Sequence, residues 1–156
     1  MNIQQIIELP KEIHTLAAVA KAAGHRHIET LVREFESGEN RFDKRGEGLF
    51  VANDAGMLVG VGGVNVDPFE SALRVARVRR LFVSLGTRRR GVATALMQHI
   101  EGLARAHFQR IQLFTDSEVA GRFYVSSGYV PVYNREKVSH EKGLGVLEPD
   151  AADCQD

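Results

Sequence analysis

Val78-Arg79-Arg80-Leu81-Phe82-Val83-Ser84-Leu85-Gly86-Thr87-Arg88-Arg89-Arg90-Gly91-Val92-Ala93-Thr94-Ala95-Leu96-Met97 is the stretch on which the fold turns. Leu81, Phe82 and Val83 make a continuous apolar run, which suits a strand covered on both faces. Gly86 and Thr87 punctuate its end, and Leu96, Ile100, Leu103 and Ala104 then recur at helical spacing. The turn between strand and helix has the chemistry of an anion cradle. The first amides of a helix lack intrahelical partners and carry the positive end of the dipole. Gly91 lets a ligand approach the backbone, Ala93 is nearly as small, and Arg88, Arg89 and Arg90 add charge and forked donors. No Gly-Lys-Ser/Thr follows, so this is not the phosphate loop of nucleotide hydrolases, and the G-x-G-x-x-G spacing of dinucleotide folds is missing. The plain alternative is a basic helix start that is merely solvated.

Working outward, Ile3 to Leu9 reads as a first strand, and Pro10 as the opening of a helix that keeps its apolar spacing through Ile13, Leu16, Ala17 and Ala20 to Gly24. Ile28, Leu31, Val32 and Phe35 mark a second amphipathic helix ending near Ser37-Gly38. Residues 39–48 read as an exposed polar loop, of a length that is often functional. Leu49 to Ala52 and Met57 to Val66 form a hairpin about the turn Asn53-Asp54-Ala55-Gly56. Gly60, Gly62 and Gly63 predict a bulge there or a close approach by ligand or backbone. Arg74 to Val83 is the next strand, followed by a helix from about Arg88 to His107. A buried strand at Ile111 to Thr115, a short helix from Ser117 to Ser126 and a last strand at Tyr129 to Tyr133 complete the order. The crossover from Leu81 through the helix to Leu113 makes those two strands parallel. The fold class is therefore α/β, with a mostly antiparallel front half.

The chain has 156 residues, the size of one domain, with 20 basic and 20 acidic side chains, so no global field calls for nucleic acid or membrane. No signal peptide and no membrane-length apolar run is visible. The single cysteine, Cys154, lies in the acidic tail of residues 148–156, expected to be disordered beyond a domain of residues 1–147. A reducing, cytoplasmic setting follows, and the histidines show no metal-ligand spacing.

Arg88-x-x-Gly91-x-Ala93 after Leu81-Phe82-Val83 resembles the Gln/Arg-x-x-Gly-x-Gly/Ala motif of the GCN5-related N-acetyltransferase (GNAT) superfamily. Ala120-Gly121-Arg122-Phe123-Tyr124-Val125-Ser126-Ser127-Gly128-Tyr129 is similar to its Ala-x-x-Phe-Tyr-x-x-x-Gly-Phe/Tyr segment. The resemblance covers about Leu49 to Val132. It implies a single-domain fold whose mixed central sheet is flanked by helices, with a V-shaped cleft for acetyl coenzyme A between the two parallel strands. It implies an acetyl-CoA-dependent N-acyltransferase that moves the acetyl group directly to an amine on a small molecule or peptide, as a monomer or homodimer. The alternative is a non-catalytic protein that binds or senses acyl-CoA.

By the same resemblance, amides of Arg89, Arg90, Gly91, Val92, Ala93 and Thr94 hold the pyrophosphate, with the charge of Arg88 to Arg90 beside them. The third arginine has two readings, the adenosine phosphate or water. Main-chain groups of Leu81 and Val83, flanking Phe82, pair with the pantetheine arm. Tyr124 is the general-acid candidate for the departing thiolate, since a phenol with a pKa near ~10 is protonated at neutral pH. Ser117 stands where many members place a cofactor-contacting asparagine, and is shorter. No carboxylate occupies the base positions, which read Arg77, Arg79, Arg80 and Gln112. Asp116 is the nearest acidic candidate, with a helix cap as its other reading. His140 is a second candidate, or an exposed tail histidine. Arg77 and Arg79 project to one face of their strand. They meet either an anionic group of the acceptor or the acidic residues between Glu34 and Glu47.

Overall fold

The computed structural model describes residues 1–87 and 91–145. Arg88, Arg89, Arg90 and the acidic tail, with Cys154, lie outside the described residues. Among the described residues the strands are β1 (Asn2–Ile6), β2 (Gly48–Asp54), β3 (Met57–Val66), β4 (Val75–Val83), β5 (Arg110–Leu113), β6 (Val130–Pro131) and β7 (His140–Gly143). These seven form one mixed sheet in the order β1-β2-β3-β4-β5-β7-β6. The helices are α1 (Ile13–Ala22), α2 (His27–Ser37), α3 (Val92–Arg105) and α4 (Glu118–Ser126).

The core has two halves, one on each face of the sheet. On one face Ile13, Leu16 and Ala20 of α1 and Ile28, Leu31 and Phe35 of α2 pack on Leu49, Val51, Val61 and Phe82. On the other, Leu96, Met97, Ile100 and Ala104 of α3, with Tyr124 of α4, pack on Phe50, Ala52, Val64, Ala76, Val78 and Ile111. Alternate residues of β2 enter opposite halves, the pattern of a strand buried on both sides. α1 begins at Ile13 rather than at Pro10. Pro10 and Lys11 instead accept from the amides of Ile13 and His14 in a turn that leads into the helix.

Two features of β4 set the site. First, β4 and β5 are parallel, as the crossover requires, but they pair only from Val75–Arg110 to Arg77–Gln112. β4 then runs on to Val83, whereas β5 ends at Leu113. Second, the register against β3 shifts between Val61, opposite Phe82, and Gly63, opposite Arg79. One extra residue therefore sits on β4, a bulge that bends the strand. Arg80 takes it up at φ 59°, a left-handed conformation unusual for a residue with a side chain.

The β3 glycines answer to these neighbours. A Cβ on Gly62 would lie 2.8 Å from Leu81 Cδ1 at the bulge, and one on Gly60 would lie 3.1 Å from Leu96 and 3.2 Å from Val92 of α3. Gly63 makes room for the ring of Phe42, which belongs to the loop expected to be exposed. That loop is held down: Phe42 is buried, Asn40 and the buried Asn65 exchange amide hydrogen bonds of 2.9 and 3.1 Å, and Asn40 also accepts from the Phe42 amide.

The last strand differs from the sequence expectation. Only Val130–Pro131 is extended there, and β7, where the sequence order placed no element, inserts antiparallel between it and β5. Residues of β7 satisfy polar partners instead of alternating apolar and polar, so no period-2 signal marks the strand.

Gly63→Ala puts a methyl 2.5 Å from Phe42 Cε1. Overpacking of this kind costs about 1–3 kcal/mol. Urea unfolding should show that loss, and a Gly63→Ala, Phe42→Leu double variant should recover part of it.

Candidate active site

The opening between β4 and β5 has Leu81, Phe82 and Val83 on one wall. Leu81 is half-buried, Phe82 and Val83 are buried. α3 starts at its mouth. Its N-cap is Gly91 at φ 79°, exposed, with nothing within 4 Å of where a Cβ would sit and no side chain to cap with. The Val92 side chain is buried in the core, so only its main chain can serve a ligand, while Thr94 is exposed. A slot flanked by main-chain donors and an open glycine fits a phosphate-bearing arm. Arg88, Arg89 and Arg90 carry the expected charge outside the described residues.

Tyr124 lies on α4, buried, with its ring edge-on to Phe123 (5.2 Å) and Tyr129 (5.5 Å). Its hydroxyl makes no hydrogen bond to another described residue. Burial pushes this phenol well above its ordinary pKa, so it stays protonated. Tyr129 differs: its hydroxyl donates to Glu101 at 2.9 Å, and Lys142 bonds the same carboxylate at 2.9 Å. Ser117, not Asp116, caps α4, its hydroxyl accepting from the Ala120 amide at 3.2 Å. Asp116 is exposed and makes no hydrogen bond or ion pair to a described residue, so the capping alternative for it is wrong. His140 is no tail residue. It lies half-buried in β7, its ring 6.2 Å from that of Tyr124, and with Gly121 and Val125 it lines an open groove of about 520 Å³ along α4.

The three β4 arginines have three surroundings. Arg77 is 5% exposed; it bonds Asp67 Oδ2 at 2.9 Å and the Lys137 carbonyl at 2.7 Å, under the ring of Phe69. Its partner is thus Asp67 rather than the acidic loop. Gln112 bonds the same Asp67 oxygen at 2.8 Å. Arg80 pairs with Glu34 of α2 at 2.9 Å. Burial opposes ionisation of Glu34, but the Arg80 hydrogen bond and nearby positive charges outweigh it and hold the carboxyl below its usual range. Arg79 is half-buried and has no hydrogen bond or ion pair among the described residues. Burial, then the charge of Arg80, lowers its pKa from the ordinary value.

His27, one of the histidines without metal-ligand spacing, opens α2 directly over β4. Its Nε2 lies 3.1 Å from the Leu81 carbonyl, and its ring sits 6.3 Å edge-on from Phe82 and 5.8 Å from His25. Burial is the main cause that lowers its pKa; the Leu81 hydrogen bond opposes that shift, and the charges of His25 and Arg80 add to it. The only sequence signal for it is the pair His25-x-His27 after the helix stop at Gly24, which has no motif to mark it.

Comparison with known proteins agrees with this geometry. The profile of the acetyltransferase (GNAT) family matches residues 6–129, and the chain belongs to that family. It is similar to the crystal structure of a "putative acetyltransferase" from Exiguobacterium sp. 255-15, with 26% identity and a TM-score of 0.81 over 91% of this chain and 92% of that one. The fold is shared with Ard1 from Thermoplasma volcanium (22% identity, TM-score 0.65, 94% and 98% covered). It is shared also with ribosomal-protein-alanine N-acetyltransferase from Brucella melitensis (15% identity, TM-score 0.67, 92% and 99% covered). No curated protein sequence matches the chain. Family and fold together support an acyl-CoA-dependent N-acetyltransferase in general. No helix among the described residues is long and apolar enough to cross a membrane.

His27 and His140 both have pKa values lowered by burial, whereas unfolded histidine titrates near ~6.5. As pH falls through that value the unfolded chain binds protons first, so folding stability should decline with pH until the lowered folded values are passed. Urea unfolding across this range should give a positive slope of stability with pH. The slope should flatten in the His27→Gln, His140→Gln double variant; an unchanged slope would assign it to other groups.

Proposed function

We propose that the chain binds acetyl coenzyme A between β4 and β5 and transfers its acetyl group directly to an amine. The observation that carries this is the end of the β4–β5 ladder at Arg77–Gln112 while β4 continues to Val83, with the open, side-chain-free start of α3 following that strand. The cosubstrate supplies an activated acyl carbon as a thioester. The protein's part is to bind, orient and move protons.

Amides at Gly91, Val92, Ala93 and Thr94 take the pyrophosphate, with the helix dipole and the charge of Arg88, Arg89 and Arg90 in support. Main-chain groups along Leu81, Phe82 and Val83 align the pantetheine arm as an added strand would. The Leu81 carbonyl already accepts from His27, and its second lone pair is left for a ligand. The Ser117 hydroxyl, accepting from Ala120, retains its own proton to donate to the cofactor. Tyr124 donates a proton to the sulfur as the thiolate leaves. Burial suits it to this by keeping the phenol protonated far into alkaline pH. Asp116 is an exposed candidate for taking the amine's proton.

Acetyl coenzyme A should raise the melting temperature in proportion to the logarithm of its concentration above Kd. Tyr124→Phe should keep that rise while kcat falls ~10²–10⁴-fold with an acceptor found in an amine panel. No rise in the natural protein would sink the cofactor reading. A rise with no turnover on any amine would favour the non-catalytic acyl-CoA-binding alternative.

Arg79 gives the acceptor a charge. With Arg77 committed to Asp67 and Arg80 to Glu34, Arg79 is the β4 cation left to meet an anionic group, such as a carboxylate on the amine substrate. A charged hydrogen bond of this kind contributes about 1.5–3 kcal/mol, so Arg79→Ala should raise KM for anionic acceptors roughly 10–100-fold. Neutral acceptors and the acetyl-CoA melting shift should be unaffected. Equal KM changes for charged and neutral acceptors would return Arg79 to a structural role.

A further inference from the structure

The acetyl acceptor must lose a proton before it can attack, and the residues of β4 and β5 nearest the cleft offer no free carboxylate. Asp67 is held by Arg77 and Gln112, and Glu34 by Arg80. The α1–α2 corner supplies a different group. A carbonyl oxygen can only accept, so the 3.1 Å contact between His27 Nε2 and Leu81 O places a hydrogen on Nε2. In the neutral ring Nδ1 is then a bare lone pair, and no described residue donates to it. The ring is fixed at the strand bulge by that hydrogen bond, by Phe82 at 6.3 Å and by His25 at 5.8 Å.

We propose that His27 is the general base of this protein, taking a proton from the acceptor ammonium on Nδ1 while Nε2–H holds the Leu81 carbonyl. The proposal rests on the acetyltransferase reading above. The ammonium gives one proton to Nδ1, and the amine nitrogen forms a bond to the acyl carbon. The carbon–sulfur bond breaks, and the sulfur keeps its electron pair. The thiolate takes the Tyr124 proton, and the phenolate recovers one from the nitrogen of the new amide. His27 releases its proton to water, so one proton leaves per turnover.

The charged groups that face the ring are His25 from the α1–α2 corner and Arg80 from β4, and both disfavour the imidazolium. A base kept neutral at and below neutral pH is ready to accept, and its conjugate acid discharges readily. Leu81 joins this base to the wall of the cleft, which is why a residue 54 positions away in sequence belongs to the same site.

The test has two arms. In long-range nitrogen–proton spectra of the full chain near neutral pH, His27 should appear as the neutral Nε2–H tautomer, titrating below the ordinary histidine value. An Nδ1–H tautomer or an imidazolium at neutral pH would overturn the proposal without any assay of turnover. In the kinetic arm, His27→Gln keeps a donor for the Leu81 carbonyl but has no base. Its kcat should fall ~10²–10⁴-fold with the acidic limb of the pH profile displaced. The acetyl-CoA melting shift should be retained. A His27→Gln protein with natural kcat and an unmoved acidic limb, under conditions where chemistry limits the rate, would remove His27 as the base and leave the acetyltransferase reading intact. Failure of the natural chain to turn over any amine would remove both.

Discussion

The Asp67 carboxylate, almost wholly buried, receives Arg77 at 2.9 Å and Gln112 at 2.8 Å, and these two side chains belong to the last paired residues of β4 and β5. The closed end of the V is thus fastened by one carboxylate from the β3–β4 loop. Arg77 carries the fastening further, to the Lys137 carbonyl of the β6–β7 loop. Removing any one member would leave a buried charge or donor without its partner, which costs about 3–5 kcal/mol for an ion pair. A joint that costly to open on one side of Arg77 lets the strands part on the other without the sheet unravelling. The opening that suits a cofactor exists because its apex is polar, buried and satisfied.

Beyond the apex the bulge decides what each arginine does. Arg77 and Arg79 share a face by strand alternation, but the extra residue at Arg80 turns the next side chain toward α2, where Glu34 meets it. Arg80 bears two costs: a left-handed backbone, and a buried Nε with no hydrogen-bond partner among the described residues. Strain and an orphan donor at one residue, beside the mouth of a cleft, are the kind of defect that functional sites carry. The same bulge brings the Leu81 carbonyl within reach of His27 on α2. One inserted residue therefore ties α2 to the cleft wall twice.

Much of this was legible in the chain. The paired motifs around Gly91 and Tyr124, the helical spacing of Leu96, Ile100 and Ala104, and the β-α-β order led to the right family and a parallel pair. Other features had no local signature. β7 is polar because Lys142 and Glu141 are satisfied by Glu101 and Arg135, so alternation is missing where a strand is present. The α2–β2 loop looked exposed by composition, yet Phe42 fills the space over Gly63. The β3 glycines were read as a bulge or a close approach by ligand or backbone; the extra residue lies on β4 across from Gly62, and side chains crowd all three glycines. The partners of Arg77 and Arg80, and the seat of His27, depend on contacts between distant segments that periodicity does not encode.

The two tyrosines of the α4 end show how burial and partnership divide labour within a few residues. Both rings are buried and both phenols are pushed up, Tyr124 by burial and Tyr129 by burial first and then by the charge of Glu101. Tyr129 commits its O–H to a fixed hydrogen bond, donating to Glu101, whose charge Lys142 and Arg105 offset from the other side. That bond anchors the start of β6 to α3, and a proton held there is not available for chemistry. Tyr124, one helical turn back and stacked edge-on against Tyr129, has no such partner among the described residues. Burial raises the cost of the phenolate for both, but only at Tyr124 is the hydroxyl uncommitted. On the function proposed above, a short-lived thiolate would draw a proton from Tyr124 without breaking a structural bond, whereas the same demand on Tyr129 would break its bond to Glu101 of α3.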